Sequence, residues 1–132
     1  MVIKEFETYG PAKEIIVKPN DWTTILSVEA EVEKGDLVIC WGDFEVSNEN
    51  AKKLDIMVIY KLTGYVGNKS MPFARPHTTN TSRSRHHEAK TRIGKRRALA
   101  SGLMRVDLEI FCNRDLIAEA KYAKIEGVIF GG

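Results

Sequence analysis

The 132-residue chain contains no glutamine, two cysteines, three histidines and no long apolar run. Without a stretch of about eighteen apolar residues, a membrane-spanning helix is excluded. The start of the chain has no basic segment followed by an apolar one, so we expect no secretory signal and a protein kept in the cytosol. The lack of glutamine beside frequent Lys, Glu, Ile and Val favours a thermophilic source.

The cysteines and histidines are too few and too scattered to predict a metal centre. Cys40 and Cys112 lie inside apolar runs and are interpreted as buried thiols, although a disulfide between adjoining strands stays open. His77 stands apart from His86 and His87. Neighbouring residues on a strand point to opposite faces, so His86 and His87 would not converge on one ion. We therefore predict no metal and no cofactor.

Motifs that carry catalysis are also missing. The sequence has no Gly-x-Ser-x-Gly elbow, no phosphate-binding glycine loop and no His-Glu-x-x-His helix. A set such as Asp43, Ser101 and a histidine occurs in almost any chain of this length and carries no weight. The expected role is non-enzymatic.

What the sequence does contain is a one-sided distribution of charge. Residues 69–105 hold ten Lys or Arg and one acidic residue, Glu88, which gives a formal charge of +9. The remaining residues hold ten basic and seventeen acidic side chains, or −7. A one-sided block of charge in a small domain usually meets a charged partner. That partner is either nucleic acid or the acidic face of another copy of the chain, and the sequence leaves both open.

Alternation of apolar and polar residues predicts β-strands along most of the chain. Residues 26–33, 37–46, 54–62, 105–112 and 116–130 alternate, and residues 3–9 and 13–18 could add two more strands. Residues 114–124 could instead form a short helix, because Ala, Leu, Glu and Lys favour one. As a strand, they would carry a β-bulge near Ala123, where the alternation slips.

Short turns and the absence of a βαβ rhythm predict one all-β domain over residues 1–132. We expect an antiparallel sandwich, with a single jelly roll as the preferred topology and a barrel as the alternative. Residues 65–97 interrupt the regular spacing, because Pro72 and Pro76 oppose regular pairing. They are predicted to form a long basic loop or arm within the domain.

The basic loop supplies the candidate contacts to nucleic acid or to an acidic partner. Lys and Arg side chains neutralise phosphates, and the Ser and Thr between them could donate to phosphate oxygens. A stacking platform for bases is missing, because residues 69–105 contain a single aromatic residue, Phe73. The candidate contact residues are Arg83, Arg85, Arg92, Lys95, Arg96 and Arg97.

Several large apolar residues are predicted to point away from the core. If Val58 faces inward, Met57 and Ile59 face outward, and the same argument places Trp41 and Phe111 outside. A sandwich that stays monomeric normally has polar outer faces. We interpret these four outward residues as an oligomer interface. The alternative is that the chain's own loops cover them.

Four segments, in this order, resemble a known family. They are residues 22–26 (Trp-Thr-Thr-Ile-Leu), 35–39 (Gly-Asp-Leu-Val-Ile), 102–108 (Gly-Leu-Met-Arg-Val-Asp-Leu) and 120–132 (Ala-Lys-Tyr-Ala-Lys-Ile-Glu-Gly-Val-Ile-Phe-Gly-Gly). The order resembles small jelly-roll modules of the tumour-necrosis-factor-like type found on virus and phage particles. Cupin enzymes share the strand order of these modules, but the chain lacks their paired His-x-His.

The resemblance implies a virion surface or capsid protein, usually a trimer or pentamer, with no chemistry of its own. It also implies a location in the virion after assembly in the host cytoplasm, with other virion proteins as further partners. We predict a structural, self-assembling protein: a capsid, decoration or spike subunit that forms a homo-oligomer. The alternative is a nucleic-acid-binding protein that uses residues 83–97.

Overall fold

The computed structural model of the protein describes residues 3–10, 14–47, 56–80 and 86–131. Within these ranges the chain forms ten β-strands and no helix, so no described segment is a helix that could cross a membrane. The strands are β1 (Ile3–Tyr9), β2 (Glu14–Val17), β3 (Thr23–Val32), β4 (Leu37–Ser47), β5 (Met57–Val66), β6 (Lys69–Asn80), β7 (His86–Lys90), β8 (Gly94–Arg97), β9 (Gly102–Cys112) and β10 (Leu116–Phe130).

The strands pair into two antiparallel sheets. Sheet A has six strands in the order β1-β10-β4-β7, with β2 also beside β10 and β8 also beside β4. Sheet B has four strands in the order β3-β9-β5-β6. The chain crosses between the sheets at six of the nine connections between described strands, since β3, β5, β6 and β9 belong to sheet B and the other strands belong to sheet A. This antiparallel sandwich confirms the predicted all-β fold class, and its strand order is consistent with a jelly-roll-like fold.

The hydrophobic core lies between the two sheets and is built by residues at alternate positions. Strand β4 supplies Val38, Cys40, Phe44 and Val46, and β9 supplies Met104, Val106, Leu108 and Ile110, all buried. Phe44 of sheet A meets Tyr60 of sheet B with ring centroids 5.2 Å apart and planes 76° apart, an edge-to-face contact. The period-2 pattern of the sequence therefore defines the inner face of each sheet.

The prediction that residues 65–97 form one long basic loop is wrong. Most of these residues are paired in β6, β7 and β8. Strand β6 is one of the two edge strands of sheet B, and among the described strands its pairing partner is β5. An edge strand tolerates proline, since one of its sides makes no ladder hydrogen bonds. The register between β5 and β6 also shifts around Leu62, close to where Pro72 lies opposite Thr63.

Strand β10 settles the two alternatives for residues 114–124 in favour of a strand. Ala118, Ala120 and Ala123 are fully buried in it, so packing outweighs their local preference for a helix. The register between β10 and β4 shifts between Glu119 and Lys124. This irregularity confirms the bulge predicted near Ala123.

Gly127 lies in β10 at a point where no side chain fits. A Cβ atom there would overlap the ring of Phe6 and would lie 2.8 Å from the carbonyl oxygen of Ile39. The Phe6 ring thus fills the space that the missing side chain leaves, and it is the buried core residue of β1. Glycine is required here for close packing rather than for its backbone freedom.

We expect Gly127→Ala to destabilise the fold by about 1–3 kcal/mol, the usual cost of overpacking a filled core. Gly42→Ala is the matched control, because its Cβ would meet its nearest atom, the Lys124 carbonyl oxygen, at 3.3 Å and should cost less. Urea unfolding followed by circular dichroism gives both free energies. Equal stability of Gly127→Ala and the parent protein would contradict the packing described here.

The two cysteines are free and buried, one in each sheet. Burial raises the pKa of the Cys112 thiol from its ordinary 9.0 to about 12, and burial raises the pKa of Cys40 well above its ordinary value. Both groups are therefore protonated, unreactive thiols near neutral pH. The interpretation of the cysteines as buried thiols is confirmed.

We expect neither thiol to react with an alkylating reagent at about pH 8 in the folded protein, and both to react quickly in urea. Above about pH 9 the unfolded chain loses thiol protons that the folded chain keeps, so stability should fall as pH rises from 9 towards 12. Mass spectrometry of the alkylated protein and urea unfolding at several pH values measure the two effects. Rapid alkylation of the folded protein would show that a thiol is accessible.

Candidate assembly surfaces and basic edge

The outer face of sheet A, which we call outer face A, carries a block of apolar side chains. Leu37 of β4 lies beside Phe130 of β10, and Ile3 of β1 lies on the other side of Phe130. Ile39 lies beside Val128 in the next outward row. Ile3 is 59 % exposed, and the other four are half-buried. These residues form an apolar surface across three adjoining strands.

A shallow groove on outer face A continues this block and is acidic. Its volume is about 450 Å³, and its lining includes Glu5, Glu7, Trp41, Glu126 and Val128. We call these five residues the acidic groove. The carboxylates stand on β1 and β10, while the Trp41 side chain comes from β4. The lining of the groove therefore combines apolar and negatively charged side chains.

The carboxylates of the acidic groove raise the pKa values of two neighbouring groups, Lys124 and Tyr9. Lys124 Nζ lies 3.0 Å from a carboxylate oxygen of Glu126 and 3.9 Å from one of Asp43. The hydrogen bond to Glu126, followed by the charge of Asp43, raises the pKa of Lys124. The charge of Glu7 raises the pKa of the Tyr9 hydroxyl in the same way. One lysine does not neutralise the three carboxylates of the groove.

The outer face of sheet B, outer face B, carries a smaller apolar cluster. Ile59 of β5 lies opposite Phe111 of β9, and Met57 points to the same side two residues earlier. The Trp22 ring packs against Phe111 with centroids 5.6 Å apart. Lys61 Nζ lies 4.2 Å from the centre of the Trp22 ring, a cation–π contact. The chain's own tryptophan and lysine thus cover one side of this cluster.

Polar contacts also lie on outer face B. The buried carboxylate of Asp107 accepts hydrogen bonds from Ser27 Oγ at 2.7 Å and from Arg105 Nε at 3.2 Å. These donors compensate for the removal of the charge from water. Lys61 Nζ lies 4.0 Å from a carboxylate oxygen of Glu109. These polar contacts lie along the middle of β9, beside the apolar cluster.

The four predicted interface residues point away from the core, as their alternation indicates, and all are half-buried. They do not form one surface. Trp41 lies on outer face A, whereas Met57, Ile59 and Phe111 lie on outer face B, on the opposite side of the sandwich. Strands β4 and β5 follow each other in sequence but belong to different sheets, and sequence spacing does not reveal this. Their role in an interface stays a prediction.

The predicted basic contact residues that the structure describes lie along one edge of sheet A. Strands β7 and β8 both pair with β4 and form that edge, which we call the basic edge. Arg96 Nε donates a 2.6 Å hydrogen bond to the Pro72 carbonyl, and Arg97 Nη1 donates one of 3.0 Å to the Gly35 carbonyl. These two guanidinium groups are thus anchored on the chain's own backbone.

Arg92 and Lys95 are exposed on the same edge. Among the residues that the structure describes, no carboxylate lies within ion-pair distance of either side chain. Their charges are available to a partner. Arg83 and Arg85 lie outside the described residues.

His77 takes part in ring packing and His87 in a side-chain hydrogen bond. The His77 ring contacts Tyr60 with centroids 5.5 Å apart, and His87 Nε2 lies 3.3 Å from Thr79 Oγ1. Residues 3–10, 14–47, 56–80 and 86–131 contain no group of three or more His, Cys, Asp or Glu side chains placed to hold a metal ion.

Ile93 is a surface residue that the sequence reasoning missed. It is 71 % exposed and lies between Arg92 and Lys95. A single large apolar residue inside a strongly basic stretch was the available signal, but the stretch was treated as a loop. The carboxylates of the acidic groove were missed for a different reason, since β1 and β10 meet only through long-range pairing.

No family model matches the chain, and no curated protein matches it. Among solved structures, it is similar to a chain in the structure of the infectious bursal disease virus Gx strain, with a TM-score of 0.60 and 8 % identity. That similarity covers 100 % of this chain and 34 % of the viral one, so this chain spans about a third of the viral chain's length. At this identity the likeness is one of fold.

A second similar structure is the crystal structure of the infectious bursal disease virus VP2 subviral particle. The TM-score is 0.37 and the identity 9 %, over 96 % of this chain and 40 % of that one. This TM-score is too low to support a further argument. The first likeness, together with the strand order, is consistent with a jelly-roll-like viral capsid fold.

Proposed function

We propose that this protein is a structural, self-assembling subunit of a virus particle: a capsid, decoration or spike subunit. The observation that carries the proposal is the sandwich fold, which shares a TM-score of 0.60 with a chain of infectious bursal disease virus over the full length of this chain. Fold alone does not determine function. The apolar surfaces of the sandwich supply the second, independent argument.

Both outer faces of the sandwich carry apolar groups that a monomer would leave in water. Outer face A has the block around Leu37, Phe130 and Val128, and outer face B has the cluster around Ile59 and Phe111. A ring of identical subunits needs two different patches on each copy, because its contacts are heterologous. Outer face A and outer face B carry different patches, as heterologous contacts require, and we propose a trimer or pentamer as the assembled form.

Assembly into a virion would also give the basic segment, residues 69–105, an acidic partner. The basic edge of one subunit would meet acidic surface on a neighbour or on another virion protein. No cofactor and no chemistry of the subunit's own is part of this proposal. The location that follows is the virion, with assembly in the host cytoplasm.

Replacing Ile59 with Asp tests the outer face B interface. The side chain points away from the core, so the fold should survive, while a charge placed against a neighbour's apolar surface should break the contact. We expect the native mass to fall towards that of the monomer with an unchanged β-type circular dichroism spectrum. Light scattering coupled to size-exclusion chromatography measures the mass.

Ile16→Asp is the matched control, since Ile16 is 67 % exposed on β2 and lies outside both patches. It should leave the mass unchanged. An Ile59→Asp protein that keeps the parent's mass would remove outer face B from the interface. Loss of folding would instead mean that Ile59 belongs to the core.

Nucleic-acid binding is the second candidate function, and the exposed charges of Arg92 and Lys95 favour it. This hypothesis predicts an affinity for DNA or RNA that falls steeply with salt, because phosphate neutralisation releases counterions. The double variant Arg92→Glu/Lys95→Glu should abolish the affinity. Arg114→Glu, in the exposed turn before β10, is the control and should not change it.

Fluorescence anisotropy of a labelled oligonucleotide, titrated at several salt concentrations, measures this affinity. Binding that persists in the double variant would show that the basic edge is not the site. Absence of binding at low salt would eliminate this second function and leave self-assembly.

A further inference from the structure

The basic edge of sheet A contains a β-bulge. Strand β7 ends its pairing with β4 at Lys90, opposite Asp43, and β8 resumes the pairing at Gly94, opposite Cys40. Three residues of the edge, 91–93, therefore face two residues of β4. One extra residue on one strand is the definition of a bulge, and bulges at sheet edges re-aim side chains.

The bulge is held in place at its first residue. The Thr91 N–H donates to the Gly42 carbonyl at 2.8 Å, and the Gly42 N–H donates back to Thr91 Oγ1 at 2.9 Å. The Thr91 hydroxyl also donates to the Arg92 carbonyl at 3.1 Å. Thr91 is buried by these contacts.

The bulge is also held at its far end. A Cβ atom on Gly94 would overlap the Phe73 backbone. The chain at this point therefore packs directly on β6, with no side chain between. Because both ends are fixed, the residues between them are presented in a pre-organised position, which lowers the entropy cost of docking.

Arg92 and Ile93 lie in this bulge and Lys95 follows it in β8, and we call these three residues the basic corner. Ile93 is the most exposed large hydrophobic residue in the described part of the chain, at 71 %. An apolar side chain flanked by two cations is complementary to a surface that contains both apolar side chains and carboxylates. The acidic groove has both, in Trp41 and Val128 and in its carboxylates.

The basic corner does not bind the carboxylates of its own acidic groove. The bulge faces Trp41, which lines the groove, but Glu5 and Glu7 stand on β1, with β10 and β4 between them and the corner. Adjacent strands are about 4.8 Å apart, so the corner and β1 are about 14 Å apart across the sheet. Glu5 and Glu7 are therefore open to the cations of another molecule.

We infer that the basic corner of one copy docks into the acidic groove of a second copy of this chain. Ile93 packs on Trp41 and Val128, while Arg92 and Lys95 face Glu5 and Glu7. The inference rests on the proposed self-assembly and identifies one of its contacts. In the ring proposed above, the corner of each copy meets the groove of the next one, which is a heterologous contact.

Each part of this contact has a separate role. The apolar anchor supplies most of the affinity, as central desolvated residues do in other interfaces. The charges at the rim select the partner and its orientation and raise the rate of association. The contact should weaken with salt but should persist, because Ile93 is not an ionic group.

A charge exchange tests the inference. We expect Ile93→Asp, Arg92→Glu and Glu5→Arg each to raise the dissociation constant of the oligomer about tenfold or more. The double variant Arg92→Glu/Glu5→Arg restores the opposite charges on each pair of neighbours and should recover most of the affinity. Sedimentation velocity of nuclease-treated protein over a range of concentrations gives the constants.

Arg114→Glu and Ile16→Asp carry the same chemical changes at exposed positions away from both patches, and they should leave the constant unchanged. Near-ultraviolet circular dichroism verifies that each variant keeps the parent fold. The affected side chains of the corner are exposed, so folding should be retained.

The outcomes separate this contact from the proposed function. A parent protein that is monomeric at every concentration would overturn both. A parent oligomer whose dissociation constant is unchanged by Ile93→Asp and Arg92→Glu would keep self-assembly and overturn this contact. Loss of affinity without recovery in the double variant would overturn the pairing of Arg92 with the groove. Loss of oligonucleotide binding by Arg92→Glu, with unchanged mass, would assign the corner to nucleic acid instead.

Discussion

The antiparallel pairing of β4 with β10 is the interaction on which sheet A depends. It runs from Leu37 opposite Phe130 to Ser47 opposite Ile117, with one irregularity between Glu119 and Lys124. Every other strand of sheet A attaches to one of these two strands. Their inward residues supply about a third of the buried hydrophobic residues, and their outward residues include Trp41 and Val128. The surface that we assign to assembly is thus a direct product of the pairing that holds the core.

The same pairing places opposite charges towards opposite edges of sheet A. Strand β10 carries β1 on one side, with Glu5 and Glu7. Strand β4 carries β7 and β8 on its other side, with the basic corner. The net charge of +2 conceals this separation. A subunit with a negative groove and a positive edge on one sheet favours head-to-tail contact between copies, since like surfaces would repel.

Local alternation was sufficient to predict which side of β5 and of β9 faces the core. Val58 and Val106 are buried, and Ile59 and Phe111 point outward, as the period of two requires. The bulge near Ala123 was also visible as a break in that period. These features depend on neighbouring residues, so one sequence contains enough information to predict them.

Features that depend on long-range pairing could not be predicted in this way. Pro72 and Pro76 opposed a strand assignment for β6, and only the position of β6 at an edge makes them acceptable. The division of the predicted interface between two faces follows from which sheet each strand joins. Ile93 was overlooked because its bulge exists only through pairing with β4.

The native mass of the unmodified, nuclease-treated protein, measured by light scattering at low and at high salt, tests the central claim most directly. The account predicts a defined trimer or pentamer that survives high salt, because apolar contacts carry most of the association. A monomer at both salt concentrations would contradict it.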